Sequence, residues 1–383
     1  MTSSFLSVQF LERFGRLPQV AARAPGRVEF VGNHTDYNGG AVLGAAIDRH
    51  VWAAAAASSE PGLRLATFQS DTVVTVPADV KLPVGGPEAW VNYPLGVWRS
   101  LQDFGLPAPR SLDLFITSDL AAGAGLSSSA ALELAVALVL LKLAGHPGVD
   151  PATLARLGRH AENTYVGVPC GILDQGTSAH GQADSLVHID CRGPVFSRVP
   201  FPACSALWVF NTRDKHALID GLYAKRRAEC EAAARKLGVP LLADLTPAAL
   251  APRLGELDAV EARRARHVVE EQARVAQVAA ALARGDLAAA GGLLTASHRS
   301  SQHLFENSTP ALDALVDRLE GEPGVHGARL TGGGFGGAVM AFTTESFSAM
   351  QAEAVAQDHA TRFGRAPEAI RLRVADGASL IGL

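Results

Sequence analysis

The chain has 383 residues, 48% of them hydrophobic and only 19% charged, with a net charge of −4. That length favours two domains over one core, and that composition describes a globular protein rather than a disordered one. Basic and acidic residues are interspersed, so no nucleic-acid or membrane-surface footprint stands out.

Four cysteines (Cys170, Cys191, Cys204, Cys230) have no metal-type spacing and fit reduced thiols in the cytoplasm. Residues 1–16 lack the apolar core of a signal peptide. The run Leu134–Leu143 is too short to span a bilayer and holds Lys142.

In chain order, residues 4–17 carry Phe5, Leu6, Phe10, Leu11 and Phe14 at helical spacing. Val28 and Phe30 mark a short strand, and a polar loop follows over 32–40. Strand patterns cover 45–57 and 64–76, a helix 90–101, and a strand 111–118 that runs into a glycine-rich turn. Helices are expected over 130–144 and 153–166, a turn at 167–171, and strands at 185–190 and 206–211. Beyond Thr212, alanine-, arginine- and glutamate-rich helices cover 218–236, 259–283 and 287–303, with another at 312–318. Strand signals return at 327–330, 338–343 and 370–374. The pattern predicts an α+β protein of two lobes, 1–205 and 206–383.

Four stretches carry residues with no evident packing purpose. In residues 119–133, Gly123 and Gly125 allow close backbone approach, and Ser127, Ser128 and Ser129 open the helix that follows. Such a turn aims unpaired N–H groups and a positive dipole end at a phosphate, with hydroxyls for Mg²⁺. No Gly-Lys-Ser/Thr follows, so the pattern is not Walker-type. The plainer reading is a flexible loop capped by serines.

Arg27, Asn33, His34, Asp36 and Tyr37 supply mixed donors and acceptors that suit a polyol, or build an Asx-rich surface loop. Asp174 in Gly171-Ile-Leu-Asp-Gln is a carboxylate among apolar neighbours, or a helix cap. Thr331–Gly337 holds five glycines in seven residues, a phosphate approach or a glycine-rich hairpin. Together the four point to phosphoryl transfer.

The order and wording of these motifs resemble the galactokinases, of the superfamily shared with homoserine, mevalonate and phosphomevalonate kinases. Residues 24–40, with Gly-Arg-Val and His-Thr-Asp-Tyr-Asn, are similar to the galactokinase signature, and Gly125–Ala131 to the superfamily's ATP loop. Further likenesses are Trp90–Tyr93, Cys170–Gln175, Ile189–Cys191, His216, Tyr223, Arg226-Arg227, Cys230-Glu231, Ser297–Ser300 and Gly332–Gly337.

The resemblance implies a two-lobed small-molecule kinase fold. Its N-lobe has a mixed sheet, its C-lobe layers antiparallel strands with helices, and the active site lies between them. It implies ATP-dependent phosphorylation of the anomeric hydroxyl of galactose, with ATP as co-substrate and Mg²⁺. The protein would be cytoplasmic, a monomer or weak homodimer, with no nucleic-acid or membrane partner. Arg27 and Asp174 would be catalytic. Asn33, His34, Asp36, Gly171, Asp174 and Tyr223 would bind the sugar. Gly123, Ala124, Gly125, Leu126, Ser127, Ser128, Ser129, Gly333 and Gly334 would hold the nucleotide, with Ser129, or else Ser128, as the metal ligand.

One departure bears on the substrate. The family signature reads Asn and, four residues later, Glu, whereas this chain has Glu29 and Asn33. The family's glutamate accepts from the hydroxyl at C6. A neutral amide there would tolerate a carboxylate, which opens galacturonate as an alternative substrate. Against it, no added arginine is visible in the loop, and His34–Tyr37 keeps the galactokinase wording. Ala121 stands where the family often has proline, which removes no ligand. A non-catalytic sugar and ATP sensor is a further alternative, opposed by the intact Arg27, Asp174 and serine run.

Overall fold

The computed structural model describes residues 2–77, 80–121, 123–215 and 219–383. His216 and the start of the helix expected from 218 lie outside the described residues.

Helix α1 (Ser3–Phe14) buries Leu6, Phe10 and Phe14 in one stripe, begins under the Thr2 side chain and stops at Gly15, whose φ is 70°. Then come β1 (Val20–Val31), β2 (Ala41–Ala57), β3 (Leu63–Thr67), β4 (Ser70–Val76), α2 (Asn92–Asp103) and β5 (Leu112–Ser118). Helices α3 (Ser128–Leu143), α4 (Pro151–Ala161) and α5 (Leu173–His180) precede the hairpin β6 (Ser185–Asp190) and β7 (Val195–Pro200).

The second half holds β8 (Ser205–Lys215), α6 (Ile219–Lys236), α7 (Pro247–Leu250), α8 (Ala259–Ala283), α9 (Leu287–Ser300) and α10 (Pro310–Glu320). It ends with β9 (Val325–Thr331), β10 (Gly336–Thr344), α11 (Ala349–Phe363), β11 (Glu368–Leu372) and β12 (Ser379–Ile381).

The first lobe is an eight-stranded mixed sheet, β12-β1-β2-β5-β3-β4, extended by β6 on β2 and β7 on β6. Among the described residues, only the β3–β5 pairing of this sheet is parallel. Strand β2 organises it: its first residues pair with β6 (Ala41 opposite Asp190) and its last with β5 (Ala57 opposite Leu112). The alanine run 53–57 gives neighbouring helices room to approach β2. The second lobe carries an antiparallel sheet, β11-β8-β10-β9.

One apolar cluster joins the lobes: Phe30, Leu43 and Ile47 pack with Val209, Met340 and Phe342 and with Val275 and Leu294 of the helices. Burial of this kind stabilises by about 25 cal/mol per Å² of apolar surface, so the lobes share a core.

Three features depart from the sequence expectation. Strand β12 pairs with β1, so the C-terminal end returns to the first sheet instead of staying with the lobe assigned to 206–383. Residues 349–363 form α11, opened by a Ser348–Gln351 capping box and closed at Gly364. Strand β7, to which the sequence pattern assigns no element, has mostly exposed residues. By contrast, α8 spans the predicted 259–283, opened by the Asp258–Glu261 capping box.

Candidate functional site

The turn before α3 is built by left-handed backbone: Gly123 (φ 75°), Gly125 (φ 64°) and Ser127 (φ 57°). For Ser127 this conformation costs about 1–2 kcal/mol, so the surroundings must hold it. They do so through its hydroxyl, which donates to Asp174 Oδ2 at 2.5 Å. Asp174 itself is in the first turn of α5.

Its other oxygen, Oδ1, receives Arg27 Nε at 2.7 Å and Nη2 at 2.6 Å. Arg27 also donates through Nη1 to the Gly125 carbonyl (2.5 Å), and its backbone N–H bonds to the Leu126 carbonyl (3.0 Å). Thus β1, the glycine/serine turn and α5 are tied at one point. Ser128 is exposed and Ser129 half-buried beside it.

A cavity of about 290 Å³ opens there, lined by Arg27, Glu29, Asn33, His34, Asp36, Asp174 and Tyr223, with Glu162, residues 167–171, Leu173, Gly332 and Gly333 completing the wall. That volume sits at the lower limit of small-molecule pockets (~300 Å³) and suits a monosaccharide.

The polar groups in the wall differ in what they have left to offer. His34 Nε2 lies 2.9 Å from the Gly333 carbonyl, which only accepts, so Nε2 carries the proton and Nδ1 accepts from the Tyr37 hydroxyl at 2.9 Å. Burial holds this imidazole neutral, lowering its pKa to about 3. Asp36 Oδ1 accepts the Tyr37 N–H at 2.9 Å, and burial pushes this carboxyl up to about 6. Its other oxygen packs on Gly171, where any Cβ would overlap the carboxylate. The Tyr223 ring lies tilted against His34 (4.9 Å between ring centroids), and its hydroxyl has no protein partner among the described residues.

Asn33, expected to meet the substrate, is at the cavity wall but has its amide engaged by the protein. Its side chain is fully buried, and all its hydrogen-bonding capacity is spent on protein. Nδ2 donates to Glu29 Oε1 (3.0 Å) and Gly332 O (2.9 Å), while Oδ1 accepts from Asn307 Nδ2 (2.8 Å) and Ser301 Oγ (3.3 Å).

The glycine loop 331–337 behaves differently from a free phosphate cradle. Gly332 and Gly333 form part of the cavity wall, and their carbonyls bond to Asn33, His34 and Asn307. Gly334 (φ 80°) packs on the Asn307 backbone and does not line the cavity.

The sequence reading missed an acidic group behind Asp174. Glu162 lines the cavity, and Gln175 Nε2 bridges Glu162 Oε2 (2.6 Å) and Glu133 Oε2 (2.9 Å). Burial raises both carboxyls, Glu133 well above its usual value, and the Asp174 charge adds to the effect at Glu162. Ser129 acts on Glu162 in the opposite direction. Glu133 Oε1 and Gln175 Oε1 are buried without a partner. Only the position of Glu133 one turn into the apolar helix α3 could have flagged it.

Among the described residues, no group of three or more His, Cys, Asp or Glu is arranged to hold a metal by itself. No described helix is long and apolar enough to cross a membrane.

Three family models match the chain: the galactokinase galactose-binding signature over 8–57, the GHMP kinase N-terminal domain over 92–182 and the GHMP kinase C-terminal domain over 278–363. Fold and site define a small-molecule kinase of the GHMP class. Mevalonate kinase of L. major in complex with R-mevalonate (19% identity, TM-score 0.65, covering 94% of this chain and 99% of that one) shares the fold. So does homoserine kinase of Cytophaga hutchinsonii (16%, TM-score 0.59, 94% and 97%).

The Lactococcus lactis galactokinase complexed with galactose is 30% identical, with a TM-score of 0.94 over 98% of this chain and 99% of that one. The chain belongs to the galactokinase family.

Proposed function

We propose that the protein transfers the terminal phosphoryl group of ATP to the anomeric hydroxyl of galactose, giving galactose 1-phosphate. The observation that carries this reading is the Arg27–Asp174 pair, set where the monosaccharide-sized cavity meets the glycine/serine turn. Asp174 accepts the anomeric O–H and orients its oxygen, which attacks the phosphorus as the bond to ADP breaks. The hydroxyl proton leaves to the carboxylate or to the transferred phosphoryl oxygens.

Arg27 pairs with Asp174 and offsets charge at the reacting phosphoryl. A carboxylate is a weak base, so positioning contributes much of the rate. His34, Asp36, the Gly171 backbone and Tyr223 bind the remaining hydroxyls. Gly123, Ala124, Gly125, Leu126 and Ser128 wrap the nucleotide phosphates, while the Ser127 hydroxyl orients Asp174.

Mg²⁺ fits the oxygen donors beside the turn. Ser129 with Glu162 would hold it, Ser128 being the alternative hydroxyl, and the buried, unpartnered oxygens of Glu133 and Gln175 leave acceptor capacity unused beside that site. When bound, the ion neutralises charge on the phosphates, which themselves supply most ligands in sites of this kind. The free thiols are consistent with a cytoplasmic setting, and we infer a monomer or weak homodimer.

Galacturonate is disfavoured. Glu29, Asp36, Glu162 and Asp174 line the cavity, and the one lysine or arginine lining it among the described residues, Arg27, is already paired. The test is ADP release with galactose, galacturonate, glucose and N-acetylgalactosamine, with a magnesium-free control. Galactose is expected to give the highest kcat/KM. Preference for galacturonate would overturn the substrate, and sugar and ATP binding without turnover would favour a sensor.

A further inference from the structure

Strand β1 carries a second acidic residue into the sugar cavity. Glu29 is two residues from Arg27, and the β1–β2 ladder is regular between them (Arg27 opposite Ala46, Glu29 opposite Gly44). Both side chains therefore face the same way, with their Cα atoms about 7 Å apart along the strand. That offset places Glu29 across a hexose ring from the oxygen that Arg27 and Asp174 serve.

The two oxygens of Glu29 are unequal. Oε1 is held by Arg329 Nη2 at 2.8 Å and by Asn33 Nδ2 at 3.0 Å. Arg329 is fully buried and pinned by Ser297 Oγ (3.1 Å) and the Glu29 carbonyl (3.0 Å), so this end of the carboxylate is fixed. Oε2 makes no hydrogen bond among the described residues. It is not an orphaned interior atom, because the side chain keeps 5% exposure and lines the cavity. A buried carboxylate oxygen left open only toward a sugar-sized space invites a hydroxyl donor. Asn33, by contrast, has nothing left to give.

We propose that Glu29 is a specificity-determining residue: its Oε2 accepts a hydrogen bond from a sugar hydroxyl remote from the reacting one, the contact that the family resemblance would assign to residue 33. The exchange of Glu and Asn between positions 29 and 33 thus keeps a carboxylate in the cavity and moves its origin from the loop to the strand. Asn33 is a positioning residue, holding Glu29 Oε1 and the glycine loop together.

This inference rests on the sugar-kinase reading, and the experiment separates the two. Steady-state kinetics are measured for the wild type, Glu29→Gln and Glu29→Ala. The substrates are galactose and four analogues, each lacking one hydroxyl other than the anomeric one. Thermal melting and nucleotide binding are recorded on the same samples.

Glu29→Ala is expected to raise the KM for galactose ~10–100-fold with a much smaller change in kcat, as for loss of one charged hydrogen bond. The penalty for one analogue should vanish in that variant while the others persist, a pattern that general loosening does not produce. Glu29→Gln keeps an acceptor for Arg329 and should show the same single-hydroxyl effect, more weakly, if Glu29→Ala folds poorly. The exchange variant E29N/N33E should recover that penalty.

Unchanged penalties for all four analogues in folded Glu29→Gln or Glu29→Ala overturn this proposal and leave the kinase reading standing. A wild type that phosphorylates none of the sugars overturns both.

Discussion

Arg27 and Asp174, 147 residues apart in the chain, form a two-nitrogen contact to a single carboxylate oxygen, with Nε at 2.7 Å and Nη2 at 2.6 Å from Oδ1. Arg27 is 5% exposed. Removing one member of such a pair leaves a buried charge uncompensated, at a cost of about 3–5 kcal/mol. Asp174→Asn keeps the shape and removes the charge. We expect kcat to fall ~10³-fold, the middle of the range for a positioned acid–base group, with ATP affinity little changed. Nucleotide titration beside single-turnover kinetics checks this, and near-normal turnover would remove Asp174 from the reaction.

Ser127 separates strain from chemistry. Ser127→Ala and Ser127→Gly both delete the hydroxyl that donates to Asp174 Oδ2, so both should lose kcat by a similar factor, ~10-fold. Only glycine also relieves the left-handed backbone, so Ser127→Gly should be about 1 kcal/mol more stable than Ser127→Ala by urea denaturation. Equal stability of the two would show that the turn is not strained at this residue.

Asp36 makes stability depend on pH with a defined sign. Burial raises its folded pKa from 3.8 to about 6, the Tyr37 amide opposing and Asp174 and Glu29 reinforcing. Between those values the native state holds a proton that the unfolded chain has released, so this residue's contribution worsens as pH rises and is fully unfavourable above about 6. Asp36→Asn should therefore melt higher than wild type at pH 7, with the gain shrinking through pH 6. The same variant should raise the sugar KM ~10-fold through loss of a charged acceptor.

His267 acts in the opposite sense. Its Nε2–H donates to the Asn33 carbonyl at 3.0 Å and its Nδ1 accepts from Ser300, and burial lowers its pKa from 6.5 to about 4. The unfolded chain takes up a proton that the native state refuses, so stability is lost as pH falls through this window. His267→Gln retains a donor without the titration. It should flatten the acid limb of a melting-temperature profile, which an unchanged profile would contradict.

Glu162 and Glu133 differ in their expected response to magnesium. Glu162→Gln removes a carboxylate beside Ser129 and should raise the Mg²⁺ concentration for half-maximal rate ~10–100-fold. Burial keeps Glu133 protonated well above the ordinary carboxylate range, so Glu133→Gln exchanges one neutral group for another and should leave the Mg²⁺ dependence in place. A matching shift in both variants would place the ion differently.

Local chemistry explains which parts were legible in the sequence. Helical periodicity and a capping box mark α8, and glycines that need positive φ mark the turn feeding α3. These signals lie within a few residues of what they specify. Strand β12 has only three residues, too few for a pattern, whereas α11 carries a Ser348–Gln351 capping box and an apolar stripe of the same kind as α8 and was open to the same reading.

The site depended on more. From Pro25 to Val31 every residue of β1 is buried, so no polar alternation reveals which side chains enter the cavity. The motifs by themselves determined a phosphate-type turn, a polyol-type loop and an isolated carboxylate. The family resemblance implied that Arg27 lies near Asp174; only the tertiary structure decided that Ser127 orients Asp174, that Asn33 turns inward and that Glu29 opens to the cavity. Those choices are made by packing between segments more than a hundred residues apart, where each donor takes the acceptor that the fold brings within reach and no local pattern records the outcome.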